Sequence, residues 1–134
     1  MSEYSVSNEF FVMTADTNDL CPLIYGRQLW GEMDKAAAIC SRKYLKGTAT
    51  QVAVTHVAEV KFLMPSYSGD VLVIKADVVS AHEKSIVIEV KVTRDKDLIA
   101  EGRFVFISIH NLGLIKEKPK MLQYCRHGKP YYPE

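Results

Sequence analysis

Apolar and polar positions change their rhythm twice along this chain. Phe10, Phe11, Val12 and Met13 form a short apolar run that predicts a strand, and the polar stretch 14–22 predicts a loop. Over residues 25–46 the apolar positions Leu29, Trp30, Met33, Ala36, Ala37, Cys40 and Tyr44 recur at spacings of three and four. That spacing predicts one helix with a broad apolar face. No proline interrupts it, Lys43 and Lys46 lie near its C-terminal end, and Gly47 suits the stop. Beyond Gly47 the period becomes that of strands, over 51–64, 70–80, 85–93 and 98–110, with the turn PSYSGD at 65–70. In the third of these Ile86, Ile88, Val90 and Val92 point one way and Val87, Glu89, Lys91 and Thr93 the other. The links between the strands are about three to six residues long, which favours antiparallel neighbours.

One helix of about 20 residues spans about 30 Å and, being apolar over much of its girth, must lie against a sheet broad enough to cover it. Ala36, Ala37 and Ala38 let a sheet approach its backbone closely. The order of elements therefore predicts an α+β domain with a curved antiparallel sheet wrapped around one long central helix, the hotdog layout. A single domain covers 1–134, and the charged, proline-bearing stretch 111–134 is read as a C-terminal extension.

Composition narrows the partners. The 134 residues hold 17 basic and 16 acidic side chains, a net charge of +1, so neither nucleic acid nor a membrane surface is an expected partner. A local basic pocket for a small phosphorylated ligand stays open. Cys21, Cys40 and Cys125 are odd in number and far apart, which suggests neither a disulfide framework nor a metal site. The start of the chain is polar and no segment is long enough to span a membrane, so a cytoplasmic location is expected.

Three stretches resemble the acyl-CoA thioesterases (acyl-CoA hydrolases) of the hotdog superfamily. They are Asp16-Thr17-Asn18; Tyr25-Gly26 followed by Met33-Asp34 and Ala36-Ala37-Ala38-Ile39; and Phe62-Leu63-Met64-Pro65 with Gly69-Asp70-Val71. The resemblance implies hydrolysis of a fatty acyl-CoA to free acid and coenzyme A, with no cofactor beyond the coenzyme A of the substrate. It assigns Asp34 as general base or nucleophile. It places Tyr25 and Gly26 at the helix N-terminus, where unpaired backbone N–H groups suit a developing oxyanion. Lys84 and Ser85, on the hairpin before the fourth strand candidate, are expected near the nucleotide. It also implies a homodimer with active sites at its interface, and trimers of dimers as a common assembly.

On the residues alone, Asp34 borders the apolar stripe, so partial desolvation would tend to raise its pKa. The same residues leave open an exposed Asp34 paired with Lys35, and a Gly26 that serves only the turn. The chain departs from the family pattern at Arg27, which replaces a second glycine, around Cys21-Pro22, and at Ala58, where an acidic residue is usual and Glu59 lies beside it. Arg27 would narrow the acyl pocket, contact a substrate carboxylate, or pair with Asp34. An acyl-CoA binding or sensing protein without turnover is the alternative these departures raise. A dehydratase or hydratase is disfavoured because no histidine lies on or just before the helix; His56 is the one strand histidine of note. Cys40, on the helix's buried face with no histidine partner, is a poor nucleophile candidate.

Overall fold

The computed structural model describes residues 4–17, 24, 26–45, 53–82 and 85–108, without the side chains of 53, 54, 56 and 108. The elements are β1 (Val6–Phe11), a 3-10 turn (Thr14–Asp16), α1 (Gly26–Leu45), β2 (Ala53–Phe62), β3 (Val71–Ala81), β4 (Ser85–Arg94) and β5 (Asp97–Ser108). The five strands make one antiparallel sheet in the order β1-β3-β4-β5-β2. This is the hotdog arrangement. The extension 111–134 lies outside the described residues.

The helix and its sheet fit through their small and branched residues. Leu29, Met33, Ala36, Ala37 and Cys40 are fully buried on one side of α1. They face Leu72, Ile74 and Ala76 of β3, Ile86, Ile88, Val90 and Val92 of β4, and Ala100 and Phe104 of β5 in a single core. The strict alternation expected for β4 is present, because its other face looks away from the helix. Beneath Met33, a Cβ on Gly102 would lie 3.1 Å from the Met33 Cε, 3.0 Å from the Phe104 ring and 3.2 Å from the Glu59 carbonyl. A side chain there would force the Met33 tip, the Phe104 ring and the β2 backbone to give by a few tenths of an ångström.

Three expectations change. The first strand runs from Val6 rather than Phe10, because the polar Ser7, Asn8 and Glu9 belong to an edge strand paired along β3. Trp30 is 39% exposed and stands at the border of the core. The short link between β2 and β3 does not join neighbours: β2 pairs with β5 at the far edge, and the connection 63–70 carries the chain across to β3. A short link limits distance, not pairing, and this one passes the N-terminal end of α1.

That connection is firmly tied. Leu63 and Met64 donate their N–H groups to the Ile99 carbonyl at 2.8 and 3.1 Å, and the Ile24 N–H donates to the Ser66 carbonyl at 2.9 Å. Asp70 accepts from the Tyr67 N–H at 2.8 Å and from the Arg94 guanidinium at 2.9 Å, and Arg94 also donates to the Pro65 carbonyl at 3.1 Å. The Tyr67 N–H, and then Arg94, hold the Asp70 carboxyl below its ordinary value of 3.8. A carboxyl depressed in the folded state stabilises fully above its unfolded pKa and loses that contribution as the pH falls through the folded pKa. The melting temperature of Asp70→Asn is therefore expected to lie below that of the parent at pH 6 and to approach it at pH 3. A gap that stays constant with pH would contradict this role.

Candidate active site

Helical spacing sets Arg27, Trp30, Asp34 and Ala38 along one flank of α1, beside its buried stripe. This flank faces β2. The Trp30 and Phe62 ring centroids are 6.4 Å apart, and the Thr55 hydroxyl donates to Asp34 Oδ1 at 3.2 Å. Asp34 is half-buried, and Lys35 pairs with Glu32 at 3.5 Å rather than with Asp34. The carboxylate is thus oriented by a neutral hydroxyl, with no cation bonded to it among the described residues. Such a group can take a proton from a water.

Thr55 owes its place to an irregularity. Phe62, Val60 and Ala58 face the helix side, pairing with Ala100, Gly102 and Phe104. Strict alternation would turn Thr55 away from them. The register slips between Thr55 and Val57, so Thr55 pairs with the buried Phe106 and its hydroxyl reaches the helix. The acidic residue sought near position 58 is not supplied by Glu59, which pairs with Arg103 on the face turned away from the helix.

At the N-terminus of α1 an apolar cleft of about 330 Å³ is lined by Ile24, Gly26, Leu29, Phe62, Leu63, Met64, Pro65 and Ser66. The first-turn N–H groups of a helix have no partner within it and mark its positive end. Gly26, the first residue of α1, brings that end to the cleft wall. No acidic residue lies in this first turn, and exposed Arg27 makes no ion pair among the described residues; the pair with Asp34 is not formed.

The remaining sequence candidates scatter. Ser85 is half-buried at the start of β4, its carbonyl accepting from the His82 N–H at 2.7 Å, away from the α1 flank. Tyr25, Lys84 and Cys21-Pro22 lie outside the described residues, as does the side chain of His56. Cys40 is buried among the core residues and its thiol is pushed up to about 11, first by burial and then by Asp77, as expected of an inert cysteine. Among the described residues no group of His, Cys, Asp and Glu could hold a metal ion, and no helix is long and apolar enough to cross a membrane.

Several solved structures share this fold. Among solved structures, the acyl-CoA hydrolase of Staphylococcus aureus in complex with butyryl coenzyme A, coenzyme A and coenzyme A disulfide is 27% identical at a TM-score of 0.73, the match covering 100% of this chain and 77% of that one. An uncharacterised protein from Pyrococcus horikoshii is 28% identical at 0.68, covering 81% and 78%. A Streptococcus mutans protein bound to acetyl CoA shares the fold at 21% identity and 0.68, covering 78% and 80%. A search of the curated proteins finds no match. The profile of the thioesterase superfamily matches residues 32–101, more than half of the chain and a span that includes Asp34, Thr55 and the clamped connection. The chain belongs to the thioesterase superfamily.

Proposed function

We propose that this protein hydrolyses acyl-CoA thioesters, with Asp34 as the general base. The observation that carries the reading is the half-buried Asp34 carboxylate, oriented by the Thr55 hydroxyl at the open edge of the fold. The solved hydrolase of Staphylococcus aureus, in complex with butyryl coenzyme A and also prepared with an aspartate or a threonine replaced by alanine, supports the choice of substrate and of residue types. In the reaction Asp34 takes a proton from water, the oxygen adds to the thioester carbon, and the Gly26 N–H at the positive end of α1 receives the developing oxyanion. The carbon–sulfur bond then breaks and Asp34 gives its proton to the leaving sulfur, which leaves the carboxylic acid and the thiol of coenzyme A.

Geometry along one helix argues that two copies share each site. Gly26 and Asp34 are eight residues apart, about 12 Å along the axis. A single thioester would bridge them only with every contact stretched out straight, since base, water, carbon and oxyanion donor sit about 3 Å from one another. Along β2 one edge is unpaired among the described residues, and Trp30, Val57, Phe62, Leu63 and Met64 beside it are exposed. A second copy paired along that edge covers both. Its helix then runs antiparallel to the first and turns its Asp34 toward the first copy's cleft. Arg27, exposed on the same flank, is placed to meet a phosphate or carboxylate of the ligand.

A mixing experiment tests the shared site. Asp34→Ala removes the base. Gly26→Pro removes the N–H, and proline suits the first helical position. Each variant alone is expected to be nearly inactive, whereas the two co-expressed regain about a quarter of parental turnover, because half of the dimers are mixed and each holds one intact site. Mixtures as inactive as their parts would place the whole site in one copy.

A further inference from the structure

The face of the sheet turned away from the helix carries two rows of charge. Register across the strands sets Glu59, Arg103, Glu89 and Asp77 side by side on β2, β5, β4 and β3. Two residues along the same strands stand Lys61, Glu101, Lys91 and Lys75. None of these side chains is buried. Every strand thus holds one acid and one base, and the first row is net acidic, the second net basic. Attraction within the chain accounts for β2, β5 and β4, where opposite charges lie directly across from one another. It does not account for β3. Asp77 lies across from Glu89 and Lys75 from Lys91, like beside like, a placing that is unfavourable within a sheet. Glu89 pairs with Lys91 at 3.5 Å and with Arg103 at 4.0 Å, whereas Glu59, Lys61, Lys75 and Glu101 make no ion pair among the described residues. A hollow of about 270 Å³ lies among the rows, lined by Gly102 and by the charged side chains of β2, β4 and β5.

We propose that this face binds a second copy of the chain, sheet against sheet, about a two-fold axis that runs between the two rows and parallel to them. Such an axis lays the first row of each copy on the second row of the other. Glu59 then meets Lys61, Arg103 meets Glu101, Glu89 meets Lys91 and Asp77 meets Lys75, and symmetry makes each contact twice. All four pairings are of opposite sign, β3 included, so an order that repels inside one chain attracts between two. The uncharged neighbours agree. Val87 of β4 comes opposite Thr93 of the other copy, and Val79 of β3, 48% exposed, comes opposite Val73. Face-to-face sheets lie about 10 Å apart, a separation that facing Lys, Arg and Glu side chains span, and the hollow gives them room to interleave. One exposed ion pair contributes little, whereas a reciprocal set that agrees in every sign steers and registers a partner, and salt weakens it. This contact is separate from pairing along the β2 edge. It leaves Asp34 and the apolar cleft, on the helix side of the sheet, uncovered.

Sedimentation equilibrium of the full chain in about 20 mM and about 500 mM salt tests the pairing, because the higher concentration screens exposed charges. The parent is expected to double its mass at low salt relative to high salt, where pairing along the β2 edge through backbone bonds and apolar contact persists. Lys75→Glu is the deciding variant. Within the chain it replaces the repulsion from Lys91 by attraction, whereas between copies it sets a carboxylate against Asp77, twice. Its low-salt dissociation constant is expected to rise on the order of tenfold, since two contacts turn from attractive to repulsive. Its melting temperature at high salt should equal or exceed that of the parent, which separates lost pairing from a damaged fold. Adding Asp77→Lys to Lys75→Glu restores opposite signs across the axis and is expected to recover the parental association. A parent of one mass at both salt concentrations overturns the pairing and leaves this face to solvent or to a different protein. An association that Lys75→Glu leaves unchanged, or that Asp77→Lys fails to recover, overturns it as well.

Discussion

Asp34→Ala is expected to lower kcat for acyl-CoA hydrolysis by about 100- to 10,000-fold, the range typical for loss of a positioned general base. KM should change little, because the carboxylate acts on the water in the transition state and not on the bound thioester. Asp34→Asn sharpens the point. Its amide oxygen can still accept from the Thr55 hydroxyl, which lies 3.2 Å from the carboxylate, but it cannot take up a proton. The Asn variant is therefore expected to fall about as far as the Ala variant. Thr55→Val, which leaves the base and removes only its orientation, should lose about fivefold, the worth of a single hydrogen bond. Steady-state thiol release with butyryl-CoA checks all three. An Asn variant that keeps most of the parental rate would show that Asp34 positions but does not take a proton.

Phe104→Ala is expected to cost about 3–5 kcal/mol of stability. The ring is fully buried on β5, opposite Ala58 of β2 and Ile88 of β4, and it closes with Met33 over Gly102. Removing it opens a cavity under the helix, and the small neighbours Gly102 and Ala58 have no atoms to fill it. A loss of that size is a large share of the about 5–15 kcal/mol by which a domain is stable. The melting temperature should fall by about 10–20 °C. Lys91→Ala, on the exposed face of the neighbouring β4, should change it by about 2 °C or less. Denaturation at one fixed protein concentration measures both, because self-association would otherwise shift the midpoint. A drop for Phe104→Ala no larger than that for Lys91→Ala would mean that this region is not the core contact it is here taken to be.

What the sequence disclosed follows from which physical signals are periodic. The helix was legible because Leu29, Met33, Ala36, Ala37 and Cys40 must all face one sheet, and β4 because its residues alternate between that helix and the outside. Trp30 shares the helical spacing yet lies partly open, since spacing marks a face but not where the sheet ends. The strand order was not legible, because the link 63–70 is set by hydrogen bonds to Ile24, Arg94 and Ile99 that no local pattern announces. Asp34 stands out in the sequence through its motif and its place beside the apolar stripe. Its partner Thr55 was missed, since strict alternation from Phe62 turns that residue outward and only the slip before Val57 brings it in. Ser66, in a stretch of serine, proline and glycine, reads as a solvated turn residue; tertiary contacts alone bury it.

Whether the protein cleaves a thioester decides between an enzyme and a binding protein. The measurement that meets this most directly is thiol release by the purified protein across acyl-CoAs from acetyl to palmitoyl, followed beyond one equivalent of enzyme. Repeated turnover is expected, highest for short and medium chains and nearly abolished by Asp34→Ala. Binding of acyl-CoA with no thiol released from any chain length would contradict it and make the protein a binding or sensing member of its superfamily.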